Sequence, residues 1–165
     1  MAAAINVLYV SISGNTRAFA QRLTAIAAKK QAEDASMPAI NAVEYDEQFD
    51  DAFCEQPYFI MVPTYLDGGN GISTGYREIL TLDFRDELDD ANTDNLLGIV
   101  GSGNRNFNAQ FGLTAKHYAK RYNSPLIGLY ELRGNDEEAL RIYTTMRKYQ
   151  ADFDKRGVKR GLITA

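Results

Sequence analysis

The chain has 165 residues, 45% of them hydrophobic, and a formal net charge of −4. That length suits one ordinary domain with a single sizeable core, and the acidic balance excludes the broad basic surface that nucleic acid or an anionic membrane calls for. Cys54 is the only cysteine, which excludes an internal disulfide, a CxxC redox pair and a thiolate metal site, so any redox chemistry has to come from a bound cofactor.

The start, Met1-Ala2-Ala3-Ala4-Ile5-Asn6, has neither a basic segment nor a long apolar one. No later run approaches the ~20 apolar residues of a bilayer span. A soluble, cytoplasmic protein is expected. Ile5 to Val10 then reads as a first strand, an apolar run that stops in a turn. The turn, Ser11-Ile12-Ser13-Gly14-Asn15-Thr16, passes directly into an amphipathic stretch. In it Phe19, Leu23, Ile26 and Ala27 share one helical face, while Arg17, Gln21, Arg22, Lys29 and Lys30 face water. This order predicts a strand, a phosphate-sized loop and a helix. Free backbone N–H groups and the positive end of the helix dipole favour an anion there, and the hydroxyls of Ser11, Ser13 and Thr16 add donors. The loop holds no lysine, so neither the Walker signature nor a dinucleotide G-x-G-x-x-G is present, and a monophosphate fits better than a triphosphate. An ordinary capped turn, with Asn15 or Ser13 as N-cap, is the competing reading.

Gln31 to Pro38 is a polar connection, and Ile40 to Tyr45 offers a short second strand with Val43 and Tyr45 turned inward. Asp46 to Asp51 is acidic but lacks the spacing of a hard-cation loop, so it reads as a solvated loop. Pro57 to Pro63 is apolar on both faces, as a central parallel strand must be. It empties into Thr64-Tyr65-Leu66-Asp67-Gly68-Gly69-Asn70-Gly71, whose glycines allow the backbone to approach a flat ligand closely. Tyr76, Ile79 and Leu80 suggest a short helix, and the acidic Asp83 to Asn95 a surface excursion. Leu96 to Gly101 is the fourth strand, followed by a loop of ligand size, Ser102-Gly103-Asn104-Arg105-Asn106-Phe107-Asn108. Phe111, Ala115, Tyr118, Ala119 and Tyr122 mark an amphipathic helix that carries His117, the only histidine, in a surface or packing role. Ser124-Pro125 ends it, and Leu126 to Leu132 is the fifth strand. Gly134-Asn135-Asp136 opens a last helix whose stripe of Ala139, Leu140, Ile142, Tyr143, Met146 and Tyr149 reads as core. The tail, Lys155 to Ala165, reads as partly mobile.

Five strands alternating with helices imply a parallel sheet covered on both faces by right-handed crossovers. In the order 2-1-3-4-5, the loops after strands one, three and four meet at the point where the winding reverses, which is where such sheets bind ligands. These are the three unusual loops of the chain.

Ser11-Ile12-Ser13-Gly14-Asn15-Thr16 resembles the T/S-x-T-G-N-T phosphate loop of flavodoxins, with a serine that keeps the hydroxyl at the third position. Gly101-Ser102-Gly103-Asn104-Arg105-Asn106-Phe107, then Phe111-Gly112-Leu113, Pro125-Leu126-Ile127 and Tyr130-Glu131-Leu132-Arg133-Gly134, narrow the resemblance. The chain looks like a member of the NrdI family, flavodoxin-like proteins that assist class Ib ribonucleotide reductase. The likeness spans nearly the whole chain. It departs from the family in a longer loop after the third strand than the shorter members have, and in Asn135, where threonine often follows Gly134.

The resemblance implies one domain, 1–165, folded as an α/β, flavodoxin-like three-layer sandwich on a five-stranded parallel sheet in order 2-1-3-4-5. It implies FMN as cofactor, with Ser11, Ser13, Gly14, Asn15 and Thr16 on its phosphate. Thr64, Tyr65, Asp67, Gly68, Gly69, Asn70 and Gly71 would line one side of the isoalloxazine, and Ser102, Gly103, Asn104, Asn106 and Phe107 the other. Tyr65 or Phe107 either stacks on the ring or packs in the core. No side chain is expected to be catalytic, since the chemistry lies on the flavin; Gly68, Gly69 and Arg105 would modulate it. The implied activity is superoxide supply: FMN, reduced by a flavin reductant, reacts with O2, and the product serves assembly of the dimanganese-tyrosyl radical cofactor in the reductase's small subunit. Neither nucleic acid, a membrane nor a metal held by this chain is implied. An electron-transfer flavodoxin without dedicated oxygen chemistry is the alternative. A receiver or phosphate-binding module is disfavoured, because a receiver needs acidic residues where Ser11 and Pro63-Thr64 stand.

Overall fold

The computed structural model describes residues 3–11, 14–63, 83–103, 113–131 and 133–161. Its strands are β1 (Ile5–Tyr9), β2 (Ile40–Glu44), β3 (Tyr58–Pro63), β4 (Leu96–Gly103) and β5 (Leu126–Glu131). The helices are α1 (Asn15–Glu33), α2 (83–90), α3 (Leu113–Tyr122) and α4 (Asp136–Arg156). The strands form one sheet, all neighbours parallel, in the order β2-β1-β3-β4-β5. The expected architecture is therefore the observed one.

β3 explains why the sheet is covered on both sides. Its residues Tyr58 to Val62 are all buried, and their side chains alternate between two separate cores. Phe59 and Met61 join Ile5, Val7 and Tyr9 of β1 and Val100 of β4 under α1 and α4, where Phe19, Leu23, Ile142, Tyr143 and Met146 close the layer. Tyr58, Ile60 and Val62 join Leu8, Val10 and Ile99 under α2 and α3, against Phe84, Leu88, Ala115 and Tyr118. Each fully buried large side chain stabilises the fold by about 1.5–3 kcal/mol before entropy is counted, so two such layers hold the sheet without a covalent staple.

Several expectations change. The segment 83–95 is not a surface excursion: α2 occupies 83–90, and Phe84 and Leu88, one turn apart, are fully buried. The acidic residues between them had hidden a two-residue apolar stripe. Leu140 is 39% exposed, because the face of α4 that carries Ala139, Ile142, Tyr143 and Met146 inward turns position 140 outward. Part of the tail is fastened at Lys159, whose Nζ donates to the Thr93 carbonyl at 2.7 Å, the Tyr122 carbonyl at 2.8 Å and Ser124 Oγ at 3.0 Å, while 162–165 lie outside the described residues. β4 runs two residues beyond Gly101, so Ser102 and Gly103 belong to the sheet rather than to a loop. The short helix expected around Tyr76, Ile79 and Leu80 lies outside the described residues.

His117 is exposed on α3, and Asn135 caps α4 by accepting from the Glu138 N–H at 2.8 Å, a role that threonine at that position would also fill. The acidic run after β2 forms a tight surface turn in which Asp46 and Asp50 accept backbone N–H bonds two residues on. Among the described residues, no group of three His, Cys, Asp or Glu could hold a metal ion, and no helix is long and apolar enough to cross a membrane.

Candidate functional site

The carboxyl ends of β1, β4 and β5 bring the describable part of the site together. β1 ends at Tyr9, Val10 continues its course with its N–H on the Met61 carbonyl at 3.2 Å, and Ser11 follows. Gly14 then opens α1 from the left-handed region, with φ 88°, and its carbonyl accepts the first helical bond, from Ala18 N–H at 3.0 Å. A residue with a side chain is strained at that φ, which is the local reason for glycine here. Gly14 and not Asn15 is the N-cap, and as a glycine it brings no side chain of its own to close the helix end.

The free donors can be followed one by one. Ser11 Oγ accepts from the Arg17 N–H at 3.2 Å, satisfying the third position of α1. The N–H groups of Asn15 and Thr16 have no acceptor among the described residues, and the first turn holds no acidic residue to fill that place. An anion fits two open N–H groups at the positive end of a 19-residue helix better than a neutral capped turn does.

Beneath the helix start lies a group of hydroxyls that sequence reasoning only half anticipated. Ser102 of β4 stands opposite Tyr130 of β5 in the parallel register. Tyr130 is fully buried, and its ring stacks on Phe19 of α1 with centroids 3.8 Å apart and planes 12° apart. Thr16, one turn before Phe19 on the same helix, is 1% exposed. The Tyr130 phenol faces the side chains of Ser102 and Thr16. Burial pushes the phenol above the ordinary tyrosine range, and those two hydroxyls act against that shift. Neither Tyr130 Oη nor Thr16 Oγ1 completes a well-formed hydrogen bond among the described residues. Two orphaned buried hydroxyls under an open helix terminus fit a phosphate group there, since an unpaired buried hydroxyl costs about 1–3 kcal/mol and a phosphate oxygen would accept from one.

A charged cluster flanks the same terminus. Arg17 grips Glu44 at the end of β2 with two bonds, Nε to Oε1 at 2.7 Å and Nη2 to Oε2 at 2.8 Å. These bonds hold the Glu44 carboxyl below its usual range. Burial, with Glu44 nearby, holds the Tyr9 phenol above its own. Arg17 is thereby committed to Glu44, and the helix start is left with neutral donors.

Of the expected site residues, Ser11, Gly14, Asn15, Thr16, Ser102 and Gly103 are described, and all six stand at the carboxyl rim of the sheet. Ser13, Thr64, Tyr65, Asp67, Gly68, Gly69, Asn70, Gly71, Asn104, Arg105, Asn106 and Phe107 lie outside the described residues. Tyr130 belongs to the expected fifth strand and to the segment that narrows the resemblance, but not to the expected site; the signal that could have singled it out is a polar-tipped aromatic near the carboxyl end of a strand. A cleft of about 420 Å³ opens at the opposite rim, between Ala3, Ile5, Pro38 and Arg147, far from these groups in the fold.

Comparison with known proteins agrees with this geometry. A sequence model of the NrdI flavodoxin-like family matches residues 7–144. A putative NrdI-like protein of Streptococcus pyogenes serotype M3 is 40% identical over 139 residues, covering 84% of each chain. Protein NrdI of Bartonella tribocorum is 29% identical over 143 residues, 87% of this chain and 93% of that one. Among solved structures, a short-chain flavodoxin associated with a PDU bacterial microcompartment superposes with a TM-score of 0.63 at 19% identity, covering 92% of this chain and 99% of that one. Oxidised flavodoxin 2 from Bacillus cereus superposes at 0.57 and 17% identity, covering 91% and 99%. These two likenesses concern the fold. With the family match extending from β1 into α4, and a relative 40% identical over 84% of each chain, the chain belongs to the NrdI flavodoxin-like family.

Proposed function

We propose that this chain is an FMN-dependent redox activator of class Ib ribonucleotide reductase, folded as one cytoplasmic domain over 1–165. The observation that carries the reading is the open start of α1: Gly14 at φ 88°, no side-chain cap, and the buried, unpaired Thr16 hydroxyl, inside a chain of the NrdI family. When bound, FMN would supply the redox chemistry, taking electrons from a flavin reductant and passing them to O2 to give superoxide for the dimanganese-tyrosyl radical site of the small subunit.

The chain's own residues hold and shield that group. The N–H groups of Asn15 and Thr16, with the hydroxyls of Ser13 and Thr16, receive the phosphate, while Ser11 stays on the Arg17 N–H and keeps the turn in shape. The Arg17–Glu44 pair leaves the phosphate to neutral donors, which suits a monophosphate. Thr64, Tyr65, Asp67, Gly68, Gly69, Asn70 and Gly71 would line one side of the ring, and Ser102, Gly103, Asn104, Asn106 and Phe107 the other. Backbone peptides at Gly68 and Gly69 and the charge of Arg105 bias the ring's preferred redox state.

The test has two stages. Purified chain titrated with FMN is expected to quench flavin fluorescence with one-to-one stoichiometry. Reduced holoprotein, mixed with O2 and the manganese-loaded small subunit, is then expected to generate a tyrosyl radical signal in electron paramagnetic resonance. FMN uptake without radical formation would identify an electron-transfer flavodoxin instead.

A further inference from the structure

The fully buried Tyr130 phenol has no role in the fold that a phenylalanine would not fill. Its ring stacks on Phe19 at 3.8 Å, and the left-handed Gly134, whose bare Cα lies against the edges of both rings, leaves them no room to move. The stack is satisfied by the ring alone. The hydroxyl, however, is carried into the apolar layer without a bonded partner among the described residues. It lies where β5 meets Ser102 of β4 from the side and Thr16 of α1 from above. Thr16 is in the same position: 1% exposed, its Oγ1 unpaired, in the first turn of the helix whose N–H groups are open.

Two orphaned hydroxyls side by side are complementary only when a third group completes the chain. A hydroxyl has one proton to give and room to accept two, so a phenol that donates to Thr16 Oγ1 consumes the acceptor end of that threonine and leaves its proton for another oxygen. A donor that is itself accepting a bond is polarised and donates more strongly, most of all in a low-dielectric setting. We propose that Tyr130 is a positioning residue for the phosphate of the bound flavin: once the flavin is bound, its phenol would donate to Thr16 Oγ1 and fix the Thr16 proton on a phosphate oxygen at the start of α1. The inference rests on the FMN reading above and adds to it a residue from a strand outside the three site loops. Tyr130 keeps its proton through the neutral range, because burial raises its titration above that of free tyrosine, so the relay does not switch off with pH there.

The decisive comparison uses two ligands that differ only in the phosphate. Dissociation constants for FMN and for riboflavin are measured by fluorescence quenching for the wild-type chain, Tyr130→Phe, Thr16→Val and the double variant. Tyr130→Phe is expected to weaken FMN about fivefold to tenfold, as the loss of one polarising hydrogen bond implies, and to leave riboflavin within about twofold. In the Thr16→Val background, Tyr130→Phe is expected to add nothing, because the phenol acts through Thr16. The melting temperature of the ligand-free Tyr130→Phe protein is expected to equal or exceed that of wild type, since an unpaired buried hydroxyl has been removed. FMN and riboflavin weakened alike, or losses that add in the double variant, would mean a purely structural tyrosine and overturn the inference. Wild type that binds FMN while Tyr130→Phe binds it equally well overturns the inference alone; wild type that takes up no FMN overturns the proposed function with it.

Discussion

At the residue scale, Gly134 shows how one missing side chain can hold a site's floor in place. It turns the chain from β5 to α4 at φ 68°, its N–H donating to the Glu131 carbonyl at 2.8 Å. A Cβ there would stand 2.4 and 2.6 Å from Phe19 Cδ1 and Cε1. The same Cβ would also stand 3.4 Å from Tyr130 Cδ2, and the Tyr130 ring is stacked on Phe19 with centroids 3.8 Å apart, so the pair would have to shift together. Gly134→Ala is therefore expected to cost about 3 kcal/mol, from left-handed strain plus overpacking, read as a lowered urea midpoint at unchanged slope. Cys54 gives a residue-scale prediction of the opposite kind. It is fully buried, and burial pushes its thiol up to about 11. In the folded protein it is expected to ignore a thiol-exchange reagent at pH 8 and to react fully once denaturant is added; fast reaction in the folded state would contradict the burial.

Between elements, α2 and α3 are joined where they cover the second core. Arg121 of α3 takes Asp89 of α2 in a fork, Nε to Oδ1 at 2.8 Å and Nη2 to Oδ2 at 2.6 Å, and Tyr122 Oη donates to the same carboxylate at 2.8 Å. These bonds, the arginine's first, hold Asp89 down to about 2. An acid whose folded value lies below its unfolded one stabilises the fold above the ordinary aspartate value, about 4, and loses that contribution as the pH falls toward 2. The urea midpoint of the wild-type chain is thus expected to exceed that of Asp89→Asn at pH 6, with the gap closing between about pH 4 and pH 2. A gap independent of pH would assign the difference to shape rather than charge.

At the scale of the whole molecule, the last helix and the tail close the structure over elements far away in sequence. Tyr143 Oη donates to the Pro38 carbonyl at 2.6 Å, tying α4 to the start of β2. Lys159 gathers the Thr93 carbonyl, the Tyr122 carbonyl and Ser124 Oγ under one ammonium, and Ser124 Oγ passes a bond on to the Leu96 carbonyl at 2.9 Å. One residue thus joins the entry of β4 to the exit of α3. Lys159→Met is expected to lower stability by about 1 kcal/mol, at the modest end for orphaned acceptors because water reaches this half-buried site. Thermal unfolding checks it, and a chain ending at residue 157 is expected to lose at least as much.

The sheet order, the strands and the turn that opens α1 were legible in the sequence because they rest on local patterns: an apolar run long enough for one strand, a glycine where φ must be positive, a helical stripe immediately after it. β3 is the clearest case, since burial on both faces leaves no polar residue to blur its limits. α2 was hidden for the converse reason: with only Phe84 and Leu88 to bury, its acidic surface outweighed its apolar face in composition. Ser11, Gly14, Asn15, Thr16, Ser102 and Gly103 could be named in advance because each follows or ends a strand that could be recognised. Tyr130 and Lys159 could not, for their significance lies in which distant groups surround them. Sequence by itself determined which segments would become the five strands and the helices α1, α3 and α4. Tertiary structure alone decided that a phenol from β5 and a hydroxyl from α1 meet unpaired in the same dry layer, because only the packing of one element on another sets which polar atoms lose their water together.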